Sequence, residues 1–392
     1  MWIFIKPVDT ICCRDGRPFS AGEDVVAKTL FPPLPSTSYG ALRTFILSNS
    51  KYSFDEFHKQ TSDLNEVGTP HELGTLCTSG PIVAKKDEML SSYEYFFPIP
   101  AHLVQDKDNE DNLYKLTPNT NVISANEVSD LEQPLSLIKG PDNVTVKEVE
   151  GHLNLNGTVK ILHRDNEIPD IQECFKSDKF FQMSWHVGLA RQFGARTAKE
   201  GQLYSIGHYY PTSDTEKSTG FMVKVAETNC LPDKGMLKLG GESRAVFFEK
   251  IEKPPFQEQD YRNIAEVIAK KNRFFLWLIT PAIFKTGFVP TFINNNFQMT
   301  GTFEGMKVKL IAAQVGRKKF VGGFQFGVGS SGQSKSGYWA VPAGSVYFFE
   351  ILDQINEEKI LEFVEKKMLS AIDGQIKDMA QQGFGTTLIG GY

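Results

Sequence analysis

Positive charge is scarce in this chain: 42 Lys and Arg stand against 47 Asp and Glu, leaving a net charge of −5 over 392 residues. That excludes a protein that grips nucleic acid through a broadly basic surface, because counterion release needs many cations near phosphates. Any such site must be local. Cysteine is sparse too, and Cys12, Cys13, Cys77, Cys174 and Cys230 form no C-x-x-C pair and have no histidine at zinc spacing. Neither a disulfide framework nor a structural metal is indicated, and reduced thiols are expected. Long apolar runs are missing: MWIFIKPVD is cut by Lys6 and Pro7, and FFLWLITPAIF is too short and proline-broken to span a bilayer. A soluble cytoplasmic chain without membrane contact or cofactor is expected.

Catalytic signatures are also lacking. There is no H-E-x-x-H, no G-x-S-x-G and no G-x-x-x-x-G-K-[ST]. His186 in SWHVG and His208 in SIGHYY lie in strand-like sequence, where a structural histidine is the ordinary role. Metal-free RNA cleavage needs only one positioned His or Lys beside a 2′-hydroxyl, so an endoribonuclease using one of these two stands as the alternative to a non-enzyme.

What is present is ordinary globular material, with 41% hydrophobic and 23% charged residues. At about 100–200 residues per domain, the length predicts two domains. WIFIKPVD alternates at its start and reads as an edge or first strand, RDGRPFSAGED as a turn, and FPPLPSTSYGALRTFIL as an extended proline segment entering a helix. Ser36 or Thr37 is placed to cap that helix, and Leu42, Phe45 and Ile46 recur at helical spacing. The pattern weakens from Phe54 to Asn126, which reads as an excursion. Strands of one antiparallel sheet are predicted across residues 179–210, in GFMVKVAE and in RAVFFEKIE, with KPPFQEQDY as the joint between domains. RFFLWLITPAIF, MKVKLIAAQVG and GSVYFFEIL then read as further strands. An amphipathic helix should follow on Ile360, Val364, Met368, Ile372, Ile376 and Met379. The chain thus reads as two α+β halves, each an antiparallel sheet with helices on one face, without a visible sequence repeat.

Three segments carry binding chemistry. VGRKKFVGGFQFGVGSSGQSKSGYWAVPAGSVYFFE, residues 315–350, interleaves glycines with Arg317, Lys318, Lys319, Lys335 and the aromatics Phe320, Phe324, Tyr338 and Trp339. Such a loop can present amides and cations to phosphates and rings to unpaired bases, or it can be a plain hairpin loop. QGFGTTLIGGY places Gly383, Gly385 and Gly390 after the expected helix, where a backbone would hug a ligand or another strand. Arg14, Arg17 and Arg43 could converge on an anion at the start of the first helix, beside Tyr39.

Taken in order, PVDTICCRDGRPFSAGED, FPPLPSTSYGALRTFIL, ARTAKEGQLYSIGHYYP, LGGESR, LITPAIFKTGFVPTF, VGRKKFVGGFQF with AVPAGSVYFFE, and GFGTTLIGG resemble a RAMP-superfamily subunit of type III-B CRISPR Cmr complexes. In that family this subunit caps the 5′ end of the guide RNA. The resemblance implies an α+β fold of two ferredoxin-like, RNA-recognition-motif-like domains in tandem, over 1–252 and 262–392, with a thumb inserted in the first. It implies no nuclease activity. The implied partners are the repeat-derived 5′ tag of the guide RNA, the large polymerase- or cyclase-like CRISPR subunit, and a backbone RAMP subunit. The implied RNA contacts are Arg14, Arg17, Ser36, Thr37, Tyr39, Arg43, Arg196, Arg317, Lys318, Lys319, Gly383, Gly385 and Gly390. The rival within the superfamily is a repeat-cleaving endoribonuclease. Phe324-Gln325 and GQSKSGYWA depart from the family pattern, so individual nucleotide contacts do not transfer.

Overall fold

The computed structural model describes residues 1–14, 26–62, 64–119, 135–136, 138–163, 167–195, 197–212, 216–226, 228–294, 299–325, 333–376 and 378–392. They form two compact units, each discontinuous in sequence: one of Met1–Tyr93, Ser177–Glu252 and Phe320–Trp339, the other of Glu94–Lys176, Lys253–Lys319 and Ala340–Tyr392.

In the first unit the Trp2–Pro7 strand is internal. It pairs antiparallel with Lys217–Val225 on one side and with Ala245–Ile251 on the other. It is thus not the edge strand that its alternating start allowed, and its consecutive buried residues reflect cover on both faces. Thr78–Asp87 extends the sheet beyond Lys217–Val225, and Lys234–Lys238 closes it beside Ala245–Ile251. The Pro35–Ser48 helix packs on this sheet through Tyr39, Ala41, Leu42, Ile46 and Leu47, and Phe45 meets the Phe248 ring edge-on at 5.2 Å. Pro35 occupies the first helical position, where its missing N–H costs nothing. Leu34 is the N-cap and gives no side-chain bond, so Ser36 and Thr37 lie inside the first turn and do not cap it.

Contrary to expectation, the strands of residues 179–210 do not share the sheet of Lys217–Val225 and Ala245–Ile251; the hairpin of Phe181–Arg191 and Ala198–Pro211 forms a separate sheet, joined in parallel by Val26–Ala27. Ile206, Cys12 and Ala27 form a small buried cluster beneath it, with Tyr204 against it.

The second unit is built on Arg273–Leu278, whose Phe274, Phe275, Leu276, Trp277 and Leu278 are all fully buried. Its neighbours are Val346–Ile351 and Thr386–Gly391, both antiparallel. Met306–Gln314 and Thr300–Phe303 follow outside the first of these and Ser370–Ala371 outside the second. The helices Glu258–Lys271 and Glu357–Lys367 pack on each other and on Thr386–Gly391. Asn272 in the left-handed region ends the first helix, and the Asn356 side chain caps the second.

Counting four principal strands in chain order, both sheets read second, third, first, fourth: 78–87, 217–225, 2–7 and 245–251 in one, 306–314, 346–351, 273–278 and 386–391 in the other. The units differ in where the helix falls, after the first strand in one and after the third in the other.

Two further expectations are corrected here. The C-terminal amphipathic helix stops at Lys367, because Leu369 takes a left-handed φ of 56° and the chain turns into the Ser370–Ala371 strand. Met368 and Ile372 are still buried, but not on one helix face. The weakly patterned stretch from Phe54 contains, among the described residues, five sheet strands, Thr78–Asp87, Ser92–Pro98, Leu103–Asp106, Leu113–Lys115 and Thr117–Pro118. The chain passes from the first unit to the second between Glu252 and Lys253, where KPPFQEQDY starts, and that segment then runs into the Glu258–Lys271 helix, capped by Gln257 and Asp260. Among the described residues no helix is long and apolar enough to cross a membrane.

Candidate nucleic-acid interface

Of the sequence-derived contacts, Arg14, Ser36, Thr37, Tyr39 and Arg43 belong to the first unit and Arg317, Lys318, Lys319, Gly383, Gly385 and Gly390 to the second. Arg17 and Arg196 lie outside the described residues.

Around the first helix, Arg14 is exposed and bridges to Thr29, while Ser36 and Thr37 are half-buried. Tyr39 is buried. Arg43 lies eight residues beyond Pro35, about 12 Å along the helix. Its Nε donates to the Val67 carbonyl at 2.7 Å, its Nη2 to the Thr69 and Glu72 carbonyls, and its guanidinium lies 5.3 Å from the Phe57 ring centroid. This cation does not gather with Arg14 at the helix N-terminus, because it ties the 67–72 loop to the helix.

Arg317, Lys318 and Lys319 are all exposed. They run into the Lys319–Val321 strand, which pairs with Tyr338–Ala340. Alternation along the strand buries Val321 and turns Phe320 outward. Phe320 meets Trp339 edge-to-face with ring centroids 5.7 Å apart, and the two remain 38% and 58% exposed. Further along, the Lys335 amide donates to the Gly323 carbonyl at 2.9 Å. Lys335 is exposed as a whole, yet packing around it and then the nearby Arg43 charge hold its ammonium below its ordinary pKa.

Gly383, Gly385 and Gly390 are buried, which takes them off the surface. The Gly383 carbonyl accepts from the Thr280 and Thr386 hydroxyls at 2.7 and 2.8 Å. A Cβ on Gly385, whose φ is +67°, would sit 2.6 Å from Gln375 Nε2, and one on Gly390 would sit 2.2 Å from Phe275 Cζ. The backbone does approach a neighbour closely, as the sequence implied, but the neighbours are the protein's own core.

An exposed apolar stripe was missed. Met183, Trp185, Val187 and Leu189 alternate along one strand of the Phe181–Pro211 hairpin and are all exposed, as is Leu203 opposite Leu189. Alternation was legible, but a period of two does not say which face meets water. The expected polarity is inverted here. The other face carries Ser184, His186, Tyr204, Ile206 and His208. His208 is fully buried: Thr10 Oγ1 lies 3.1 Å from its Nδ1, Glu242 Oε2 lies 3.3 Å from its Nε2, and His186 stacks on it with centroids 4.1 Å apart. Burial, then His186, lowers its pKa. A histidine so enclosed has no path to a substrate hydroxyl. Among the described residues no cluster of His, Cys, Asp and Glu could hold a metal.

The class that the described residues define is a mixed α/β protein of two sheet-dominated units, one leading into an exposed cationic run and one carrying an exposed aromatic pair. The family model for the CRISPR-associated protein (Cas_Cmr3) matches residues 3–392, and the chain belongs to that family. Among solved structures, the chain is similar to a chain of type III-B Cmr-beta bound to cognate target RNA and AMPPnP, at 13% identity and TM-score 0.47. It is also similar to one of Cmr-beta bound to cognate target RNA, at 13% and 0.48. Each match covers 94% of this chain and 89% of the other. A chain of a Csm3–Csm4 subcomplex from a type III-A CRISPR-Cas interference complex matches at 11% identity and TM-score 0.32, covering 91% of this chain and 95% of that one. Among curated proteins nothing matches significantly.

Proposed function

We propose that this Cmr-family chain is a non-catalytic RNA-contacting subunit of a type III-B CRISPR effector in antiviral defence. It anchors the repeat-derived 5′ tag of the guide RNA and bridges the large polymerase- or cyclase-like subunit to a backbone RAMP subunit. The observation that carries the RNA contact is the exposed Arg317-Lys318-Lys319 run on a chain of net charge −5, a local cationic site of the kind an acidic RNA-binding protein requires. Family membership across residues 3–392 supports the assembly.

The shared strand order of the two sheets, second, third, first, fourth and antiparallel throughout, supports reading 1–252 and 262–392 as two ferredoxin-like halves. Each retains one of that fold's two helices in its usual place. The Phe181–Pro211 hairpin is the candidate thumb, and its outward apolar stripe supports the bridging role. The burial of His208 weighs against His208 as the base of an endoribonuclease, whereas His186 is exposed, and RNA turnover by a His186→Ala variant tests that form of the reading.

The test is a titration of tagged guide RNA with the assembled complex carrying Arg317→Glu, Lys318→Glu and Lys319→Glu together. Binding should weaken by about 10-fold or more at physiological salt and depend less steeply on salt. Unchanged affinity would refute the site.

A further inference from the structure

Phe320 and Trp339 stand apart from most of the chain's rings. Trp277 is fully buried, Trp2 nearly so, and Phe4, Phe97, Phe180, Phe181, Phe221 and Phe248 fill the cores. Leaving two large rings in water forgoes the burial that drives folding, so an exposed pair calls for an occupant.

The pair is also held in place. A Cβ on Gly337 would lie 2.3 Å from Phe320 Cζ, so the Phe320 ring rests directly on backbone that only glycine leaves open. Trp339 meets that ring at 74°, an edge-to-face contact that fixes its own plane. A ring already ordered loses little rotamer freedom on binding.

The charge of the same unit sets the occupant's chemistry. Lys335 is exposed and lies two residues before Gly337, on whose backbone the Phe320 ring rests, which places a cation beside the pair. Apolar rings beside cations suit a ligand with flat unpaired faces and a negative backbone. A duplex hides its faces, so the ligand is single-stranded.

We propose that Phe320 and Trp339 form a base-stacking subsite for one unpaired nucleotide of single-stranded RNA, with Lys335 facing the adjoining phosphate. This rests on the RNA-contacting role above and assigns it to particular rings.

The test uses the full-length protein and two fluorescently labelled eight-nucleotide RNAs, one with bases and one abasic throughout, so that phosphates are equal and bases are not. Wild type should bind the RNA with bases more tightly. Trp339→Ala should weaken that binding about 5- to 100-fold and abolish the difference between the two RNAs, while Trp339→Phe keeps a preference for bases. Trp339 is mostly exposed, so melting temperatures should match and exclude misfolding. Equal losses on both RNAs would overturn the subsite, as would no loss. If Trp339→Ala is silent while Lys318→Glu with Lys319→Glu weakens binding, the subsite falls and the RNA-contacting role survives. If wild type binds neither RNA, both fall. Loss of a protein partner with RNA binding intact would assign the rings to an interface and likewise overturn the proposal.

Discussion

Arg43 Nε donates to the carbonyl oxygen of Val67 at 2.7 Å, and with the bonds to Thr69 and Glu72 it closes a loop that the sequence left unpatterned. A cation that reads in sequence as a phosphate ligand is thus a structural clasp. Arg43→Ala should lower unfolding free energy by about 2–4 kcal/mol, because several charge-assisted bonds are lost and three carbonyls released. Arg43→Lys should recover only part, since an ammonium lacks the fork that reaches separate carbonyls. Denaturant titration measures both. A silent Arg43→Ala would mean the loop holds without it.

Acid should weaken the second unit. Burial lowers His152 to about 4 and His102 well below its ordinary value. Such histidines protonate first in the unfolded chain, so stability is full above about pH 6.5 and falls as pH drops toward about 4. His152 alone accounts for about 3 kcal/mol of that loss. His102 sits against the Phe275 and Phe348 rings, at 5.4 and 5.6 Å. His102→Phe should therefore flatten the decline. Melting temperature against pH from 7.5 to 4.5 is the measurement.

The hairpin stripe separates stability from assembly. Trp185→Ser with Val187→Ser should change the melting temperature little, since both side chains already face water. Co-purification with the backbone subunit should fall sharply. A large stability loss with intact assembly would place the stripe in the protein's own packing.

Gly390→Ala tests whether the terminal glycines belong to the core. The new methyl would lie 2.2 Å from Phe275 Cζ and 2.8 Å from the Leu162 carbonyl oxygen. Overpacking should cost about 1–3 kcal/mol or more. RNA affinity of the fraction that remains folded should not change.

Much of the fold was legible because its central strands carry short, almost wholly apolar segments. WIFI, RFFLWL and VYFFEI announce themselves. Thr78–Asp87 did not, since TSGPIVAKKD mixes glycine, proline and lysines, and its pairing partner lies 130 or more residues away. The helix at 357–367 was seen but overrun, because Met368 and Ile372 continue its spacing after the backbone has left it. At the candidate site the Arg317–Lys319 run was plain. The Gly337 seat of Phe320 was not, because it depends on strand pairing across the glycine-rich segment. Glycine tells of close approach, and only the structure tells what approaches.

The central claim is contact between this chain and the 5′ tag. Photocrosslinking of the assembled complex with guide RNA, carrying a photoreactive base at each tag position in turn, tests it most directly. The account predicts adducts on the segment 317–339 from at least one tag nucleotide, lost when Arg317, Lys318 and Lys319 become Glu. Adducts on other subunits at every tag position, with none on this chain, would contradict it.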